Sequence, residues 1–334
     1  MKDVKKLVEE ANKIYLRNFK PITYFERAIF FSWYCSIGNC TYCHMSINPE
    51  KHKKNTARRT TESILAETLL SKKLGWEIGF ISGGMNAYSQ IEFKNLLEKI
   101  YEVYKEKVWI NVGPLGPKAL QEYKPYGLGV VGAVETVNPK LHDKVCPSKP
   151  VKPILKMYEY AEDLKLKKAT TIIIGIGETI KDYELLKEFI EQNKIDKIHI
   201  YSLIPHKDTV FGKTKVVEPE YHAEWIARTR IDFPKIDIQA GIWVDRVENI
   251  SLLLKAGANS ISKYPSIRLF NSKESKTIEK QSKKAGREFL GTMTKLPEIN
   301  IEKELSKLGF DEEFKQTIKK KLNLYLKSMR KNQN

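Results

Sequence analysis

Cysteine is scarce in this chain. Four residues in 334 cannot form a disulfide scaffold, and three of the four fall within nine positions of one another. The spacing excludes a second C-x2-C pair, so an ordinary structural zinc site built from two knuckles is not encoded. No apolar run approaches the roughly 18 residues that a membrane-spanning helix needs. The opening Met1-Lys2-Asp3-Val4-Lys5-Lys6 lacks the apolar core of a signal peptide, and the expected compartment is a reducing cytoplasm. Gly/Ser-rich linkers, repeat arrays and low-complexity blocks are all missing, so nothing in composition divides the chain into beads.

A hydrophobic fraction of 41% is ample for a core of one large domain or two ordinary ones. The net charge of +17 raises the question of nucleic acid. The lysines, however, alternate with glutamates on helical faces, as in Lys5-Lys6-Leu7-Val8-Glu9-Glu10, and no nucleic-acid-binding module is recognisable. No nucleic-acid or membrane partner is therefore expected. The densest basic run, Lys51-His52-Lys53-Lys54-Asn55-Thr56-Ala57-Arg58-Arg59, suits an acidic redox partner such as a ferredoxin or flavodoxin. The richness in lysine, isoleucine and glutamate also fits a heat-adapted protein.

Strand-like runs alternate with helical patterns. The eight runs are Ala28–Phe31, Glu77–Ile81, Val108–Val112, Gly129–Val134, Thr170–Ile174, Lys197–Leu203, Ile236–Ala240 and Asn259–Ser262. Helical periodicity covers Thr61–Leu74, Ile91–Lys105, Ile154–Leu166, Asp182–Gln192, Glu220–Ile231 and Val247–Ala256 between them. Regular βα alternation demands parallel pairing, because every crossover needs a helix. Eight such units predict an α/β fold, a (βα)8 TIM-type barrel. The expected organisation is an N-terminal helix (1–20), the barrel (21–284) and a C-terminal helical segment (285–334). An open doubly wound sheet is the alternative, but it does not explain why chemistry-bearing residues follow so many strand ends. In a barrel those ends share one mouth.

The strongest motif is Cys35-Ser36-Ile37-Gly38-Asn39-Cys40-Thr41-Tyr42-Cys43, directly after the first strand. Three clustered thiolates are usually gathered by an iron–sulfur cluster, and three protein ligands leave one iron of a [4Fe–4S] cluster open for chemistry. Tyr42 is placed to shield sulfur from water. The same spacing opens plant-type [2Fe–2S] ferredoxins, in which case Cys146 would be the fourth ligand. A further polar set falls at the later strand ends: Ser82-Gly83-Gly84, Asn111, Glu135-Thr136, Gly175-Ile176-Gly177-Glu178, His206, Gln239 and Ser262. Glu135 ends a strand with no other charge, so its carboxylate needs a partner.

A three-cysteine loop opening a (βα)8 pattern resembles the radical S-adenosylmethionine (SAM) enzymes. Gly175–Thr179 looks like the glycine-rich loop of the biotin synthase branch. The stretches from Glu135, from Ile204 to Thr209 and from Gly257 to Ser260 resemble segments of the [FeFe]-hydrogenase maturase of that branch, in the same order. The cysteine loop with its flanks, from Trp33 to Ser46, looks like the biotin-synthase-like archaeal proteins that build the iron-guanylylpyridinol cofactor of [Fe]-hydrogenase. The resemblance implies a [4Fe–4S] cluster on Cys35, Cys40 and Cys43, with S-adenosyl-L-methionine at the open iron. It assigns Tyr42, Ser82, Gly83, Gly84, Glu135, Thr136, Gly175, Gly177 and Glu178 to cofactor binding. It leaves Asn111, His206, Gln239 and Ser262 for a small-molecule substrate. The family's carboxylate-binding arginine aligns with Ile154, so Lys152 or Lys156 is expected to replace it. The family motif after the second strand often ends in an acid, where this chain has Met85. Another radical enzyme of the branch, or a non-catalytic iron–sulfur protein for electron transfer or nucleic-acid binding, are the rival readings.

Overall fold

A computed structural model describes residues 4–46 and 53–331. In chain order the elements are α1 (Val4–Asn18), β1 (Ile22–Phe30), α2 (Thr61–Lys73), β2 (Glu77–Ser82), α3 (Gln90–Tyr104), β3 (Val108–Asn111), α4 (Pro117–Tyr123) and β4 (Gly127–Glu135). There follow α5 (Pro139–Val145), α6 (Lys152–Asp163), β5 (Lys167–Ile174), α7 (Tyr183–Asn193), β6 (Lys197–Ser202), α8 (Pro219–Asp232), β7 (Asp237–Gly241), α9 (Ile250–Lys255) and β8 (Ser260–Ser262). The last elements are α10 (Lys273–Lys284), β9 (Glu288–Leu290), α11 (Ile301–Ser306) and α12 (Glu312–Arg330).

Strands β1 to β8 pair in parallel, each with its chain neighbour, and β1 closes the ring by pairing with both β2 and β8. This is the expected TIM-type barrel. Three short helices, α4, α5 and α10, were not legible as periodic runs. Two of them are only seven residues long and begin with proline at the first turn.

The 285–334 segment is not purely helical. Strand β9 lies beside the start of β1, with Ile22 opposite Glu288 and Tyr24 opposite Leu290. Helix α12 lies on the outer face of α2. That cover explains why α2 is apolar or buried nearly all round, from Ile64 to Ser71. Its one buried acid, Glu67, is held by Arg27 and Arg59, each at 2.6 Å.

The barrel interior is layered. Phe80, Trp109, Val131 and Ala169 form an apolar layer contributed by β2 to β5. At the strands' N-terminal end the floor is polar instead. The Lys197 ammonium donates to Glu26 and Asp237, both at 2.7 Å, while Glu26 also accepts from Gln239 at 2.5 Å and from Ser260. The packed floor closes one end, so the opposite mouth is where a ligand fits.

Candidate active site

The β1 loop is built around its cysteines by backbone hydrogen bonds. Phe31 N–H donates to Ser82 O at 2.9 Å, and Ser36 N–H to Met85 O at 3.0 Å, so the loop leans on the segment after β2. Gly38 takes a left-handed turn (φ 57°) inside the four-residue gap. Thr41 N–H donates to Val145 O at 2.9 Å, and the Asn39 amide to Ser148 Oγ at 2.6 Å. These two bonds tie the loop to the end of α5.

They also set Cys146 beside Cys40, although 106 residues separate them in sequence. The two thiols interact side chain to side chain, and this contact holds Cys40 below its usual thiol pKa. Cys43 behaves oppositely: burial pushes it up to about 11. All four cysteines are free thiols.

Cys35, Cys40 and Cys43 line one cavity of about 580 Å³ at the barrel mouth. Among the described residues, no three His, Cys, Asp or Glu side chains converge on a point that would hold a single metal ion. All three thiols face this cavity, and in a cubane each thiolate binds its own iron rather than a shared point.

Around the same cavity stand Tyr42, Ser82, Gly83, Gly84, Asn111, Glu135 and His206, as the strand-end argument requires. The two glycines serve the cysteine loop as well as the cavity. A Cβ on Gly84 would overlap Tyr34 O and the Cys35 side chain, and one on Gly83 would strike the Phe31 ring. Expecting this backbone to approach a ligand alone missed that packing role.

Six other expected positions lie elsewhere. Gln239 and Ser262 do not line the cavity. They are buried in the barrel, where Gln239 Oε1 accepts from Tyr201 at 2.5 Å and from Ser262 at 2.7 Å. Gly175 and Gly177 (φ 93° and 121°) form a turn outside the cavity lining, and Glu178 caps it. The Glu178 carboxylate accepts from the amides of Gly175 at 2.7 Å and Ile176 at 3.0 Å, so those donors are not open to an adenosyl group. Thr136 also stands behind the wall, accepting from Asn138 N–H at 3.3 Å.

The structure adds two cations that strand-end reasoning passed over. Lys149, on the connection between α5 and α6, reaches back to Glu135 Oε1 at 2.7 Å and to Ala133 O at 2.8 Å. Burial alone would lower its pKa, but the Glu135 carboxylate overrides this and raises it. Lys152 and Lys156 are solvent-exposed, and Lys156 pairs with Glu159. The basic group facing the cavity is therefore Lys149, not either of those. Its signal was hidden because it sits in a loop, 14 residues past its partner. The second cation is Lys263, directly after β8. Burial lowers its pKa, and its ammonium lies 4.4 Å from the Tyr201 ring centroid. A charged residue just past an eighth strand was open to the argument already made for Glu135.

Glu135 and Lys263 share a further property. Both hold left-handed backbone conformations, at φ 67° and 66°. Non-glycine residues rarely adopt this conformation, and such strain tends to collect at functional sites. At Glu135 the register with β5 also slips between Ala133 and Glu135, which re-aims the side chain.

A radical SAM superfamily model matches residues 31–190, the segment that carries the cysteine loop and β2 to β5. The chain is 38% identical over 315 residues to an uncharacterized protein of Methanocaldococcus jannaschii, covering 93% of this chain and 87% of that one. The chain belongs to the radical SAM superfamily. It is 24% identical over 227 residues to the [FeFe] hydrogenase maturase subunit HydE of Thermotoga maritima, covering 67% of this chain and 65% of the maturase. The crystal structure of methylornithine synthase PylB shares the fold, with a TM-score of 0.73 at 20% identity over 85% of this chain and 88% of that one. This radical SAM enzyme thus uses a [4Fe–4S] cluster and S-adenosyl-L-methionine, acts on a small molecule and needs a reductant. No described helix is long and apolar enough to cross a membrane.

Proposed function

We propose that this radical SAM enzyme holds its cluster on Cys35, Cys40 and Cys43 and acts on a small organic precursor in assembly of the guanylylpyridinol cofactor of [Fe]-hydrogenase. The observation that carries the chemistry is the single cavity where three thiols, the Glu135–Lys149 pair and a mostly apolar lining meet. The finer assignment is supported by the likeness of the cysteine loop to the archaeal proteins of that pathway, and by the methanogen relative.

When bound, the cluster and S-adenosylmethionine would supply one-electron chemistry able to abstract a hydrogen atom from the substrate, the electron coming from an external reductant. The chain's own residues orient and protect. Ser82, the Gly83–Gly84 backbone, Glu135 and Lys149 take the methionyl end, with Lys149 replacing the arginine that the resemblance aligns with Ile154. The apolar walls, including Ile173, Leu203 and Trp243, exclude water from the reacting centre. Asn111 and His206 face the substrate.

Anaerobically reconstituted protein should carry one [4Fe–4S] cluster and release 5′-deoxyadenosine on reduction. Supplying an extract of the native organism should increase that release, and mass spectrometry should identify the substrate consumed. A pyridinol precursor supports the cofactor-assembly reading. Conversion of a free amino acid to an isomer would favour the second reading, a methylornithine-synthase-like mutase, which the shared fold with that enzyme suggests. Iron in a [2Fe–2S] site dependent on Cys146 would overturn both.

A further inference from the structure

Three cations line the cavity: Arg27, Lys149 and Lys263. Two are already neutralised. Arg27 pairs with Glu67 at 2.6 Å, and Lys149 with Glu135 at 2.7 Å. Lys263 has no carboxylate partner among the described residues. Its one specific contact is the face of Tyr201, itself an inward-facing residue of the wall. A half-buried ammonium without an anion beside it is still costly, and a ring face offsets only part of that cost. The left-handed backbone at Lys263 adds strain to the same residue.

Glu135 and Cys43 favour the charged form of Lys263 and Arg246 opposes it, but among the described residues none of the three makes an ion pair with it. His44 and His206 also line the cavity, with ring centroids 5.5 Å apart. The His206 pKa is lowered by burial first, then by His44 and by Lys263. This part of the cavity thus has positive and potentially positive groups facing an apolar space bounded by Trp243, Ile204 and Pro265.

We propose that Lys263 anchors a carboxylate of the substrate, so that the enzyme acts on an organic acid with an apolar body rather than on a neutral or cationic molecule. The assignment names the substrate class for the reaction proposed above and rests on that reading. An anion at Lys263 would complete the ion pair that the fold leaves open, and the Tyr201 and Trp243 faces would hold the apolar part.

The test uses the cluster-reconstituted protein and fluorine NMR titration with para-fluorobenzoate, its neutral twin para-fluorobenzamide serving as control. The acid should bind in the millimolar range or better and the amide at least tenfold more weakly. Lys263→Gln should weaken the acid at least tenfold, and Lys263→Arg should restore most of the loss. Iron content, thermal melting and S-adenosylmethionine affinity should be the same in all three proteins. Equal binding of acid and amide, no binding of the acid, or an unchanged titration in Lys263→Gln overturns the proposal. So does a Lys263→Gln variant that loses S-adenosylmethionine affinity but keeps its preference for the acid, because the lysine would then serve the cofactor. Failure of the wild type to take up iron or cleave S-adenosylmethionine would defeat the reaction proposed above, and the acid-over-amide preference would still be read independently.

Discussion

Two carboxylate–lysine pairs stand at opposite ends of this barrel, and they are built differently. At the floor, Glu26 accepts from Lys197, Gln239 and Ser260, and Lys197 also reaches Asp237. Glu26 and Lys197 are nearly inaccessible to water, and both oxygens of Glu26 are used. At the mouth, Lys149 bonds one oxygen of Glu135, and among the described residues none takes the other. Glu135 also carries a left-handed backbone, whereas Glu26 has ordinary strand torsions, although a register slip lies close to each. A buried pair satisfied on every side is a structural element. One left part-satisfied and strained beside a cavity is prepared for something that arrives later. The same two residue types thus serve stability at one end and binding at the other.

The largest effect should come from the cysteines. Changing Cys35, Cys40 or Cys43 to Ala should abolish the cluster, read as loss of iron, sulfide and the reduced-state electron paramagnetic resonance signal. Cys146→Ala should keep the iron, although it removes the thiol beside Cys40. Retention of the cluster by any of the three loop variants would sever the link between mouth and chemistry.

Next in size is the floor. Lys197→Met leaves Glu26 and Asp237 without their shared cation, and breaking a buried pair from one side costs about 3–5 kcal/mol. Urea unfolding should show that loss, while the folded fraction still takes up iron. A change below about 1 kcal/mol would mean that Gln239 and Ser260 alone satisfy Glu26.

Glu135→Gln should do the reverse. Loss of a charge-assisted contact is worth about 1.5–3 kcal/mol, so S-adenosylmethionine should bind roughly tenfold to a hundredfold more weakly. Iron content should hold, and the unfolding midpoint should fall by less than in Lys197→Met, because Gln keeps an oxygen for Lys149. A stability loss without a binding change would make the mouth pair structural, like the floor pair, and erase the contrast.

The barrel was legible because each βα unit repeats a local rule: apolar run, turn, amphipathic helix. The same rule placed Cys35, Ser82, Asn111, Glu135 and His206 at one mouth before any contact was known. It failed where position depends on long-range closure. Gln239 and Ser262 point into the barrel, but depth along the barrel axis decides between cavity and core, and a sequence does not show depth. The resemblance assigns Glu178 to cofactor binding together with its glycine turn, and a motif does not show which amides its carboxylate will meet. Its own turn amides are nearer. Lys149 and Cys146 were hidden because the α5–α6 connection folds back onto the cysteine loop through Thr41 and Asn39. Strand β9 was hidden because three residues beside a neighbouring strand leave almost no pattern.

The smallest expected effect concerns the basic run after the cysteine loop, which divides on inspection. Lys51 and His52 lie outside the described residues. Arg58 and Arg59 are not free for docking. Arg58 pairs with Glu92 at 2.8 Å and stacks over Tyr88, while Arg59 holds Glu67, Phe30 O and the Tyr325 hydroxyl of α12. Reversing either arginine would damage the α2–α12 packing or the β2–α3 connection, and slow every measured rate through stability. Lys53 and Lys54 are exposed instead, in a turn that leads to Ala57, whose carbonyl accepts from Trp33 N–H at 2.9 Å, with Trp33 lining the cavity. These two lysines are the part of the run suited to an acidic ferredoxin or flavodoxin. Surface charges act over about 8–10 Å at ordinary ionic strength, so their contribution is to encounter rate. Lys53→Glu with Lys54→Glu should slow reduction by such a donor several-fold at low salt and hardly at all at high salt. Reduction by dithionite, which needs no docking surface, should keep its rate. Equal slowing with both reductants would place the turn in the mouth's architecture, and unchanged rates with both would move the docking surface elsewhere on the barrel.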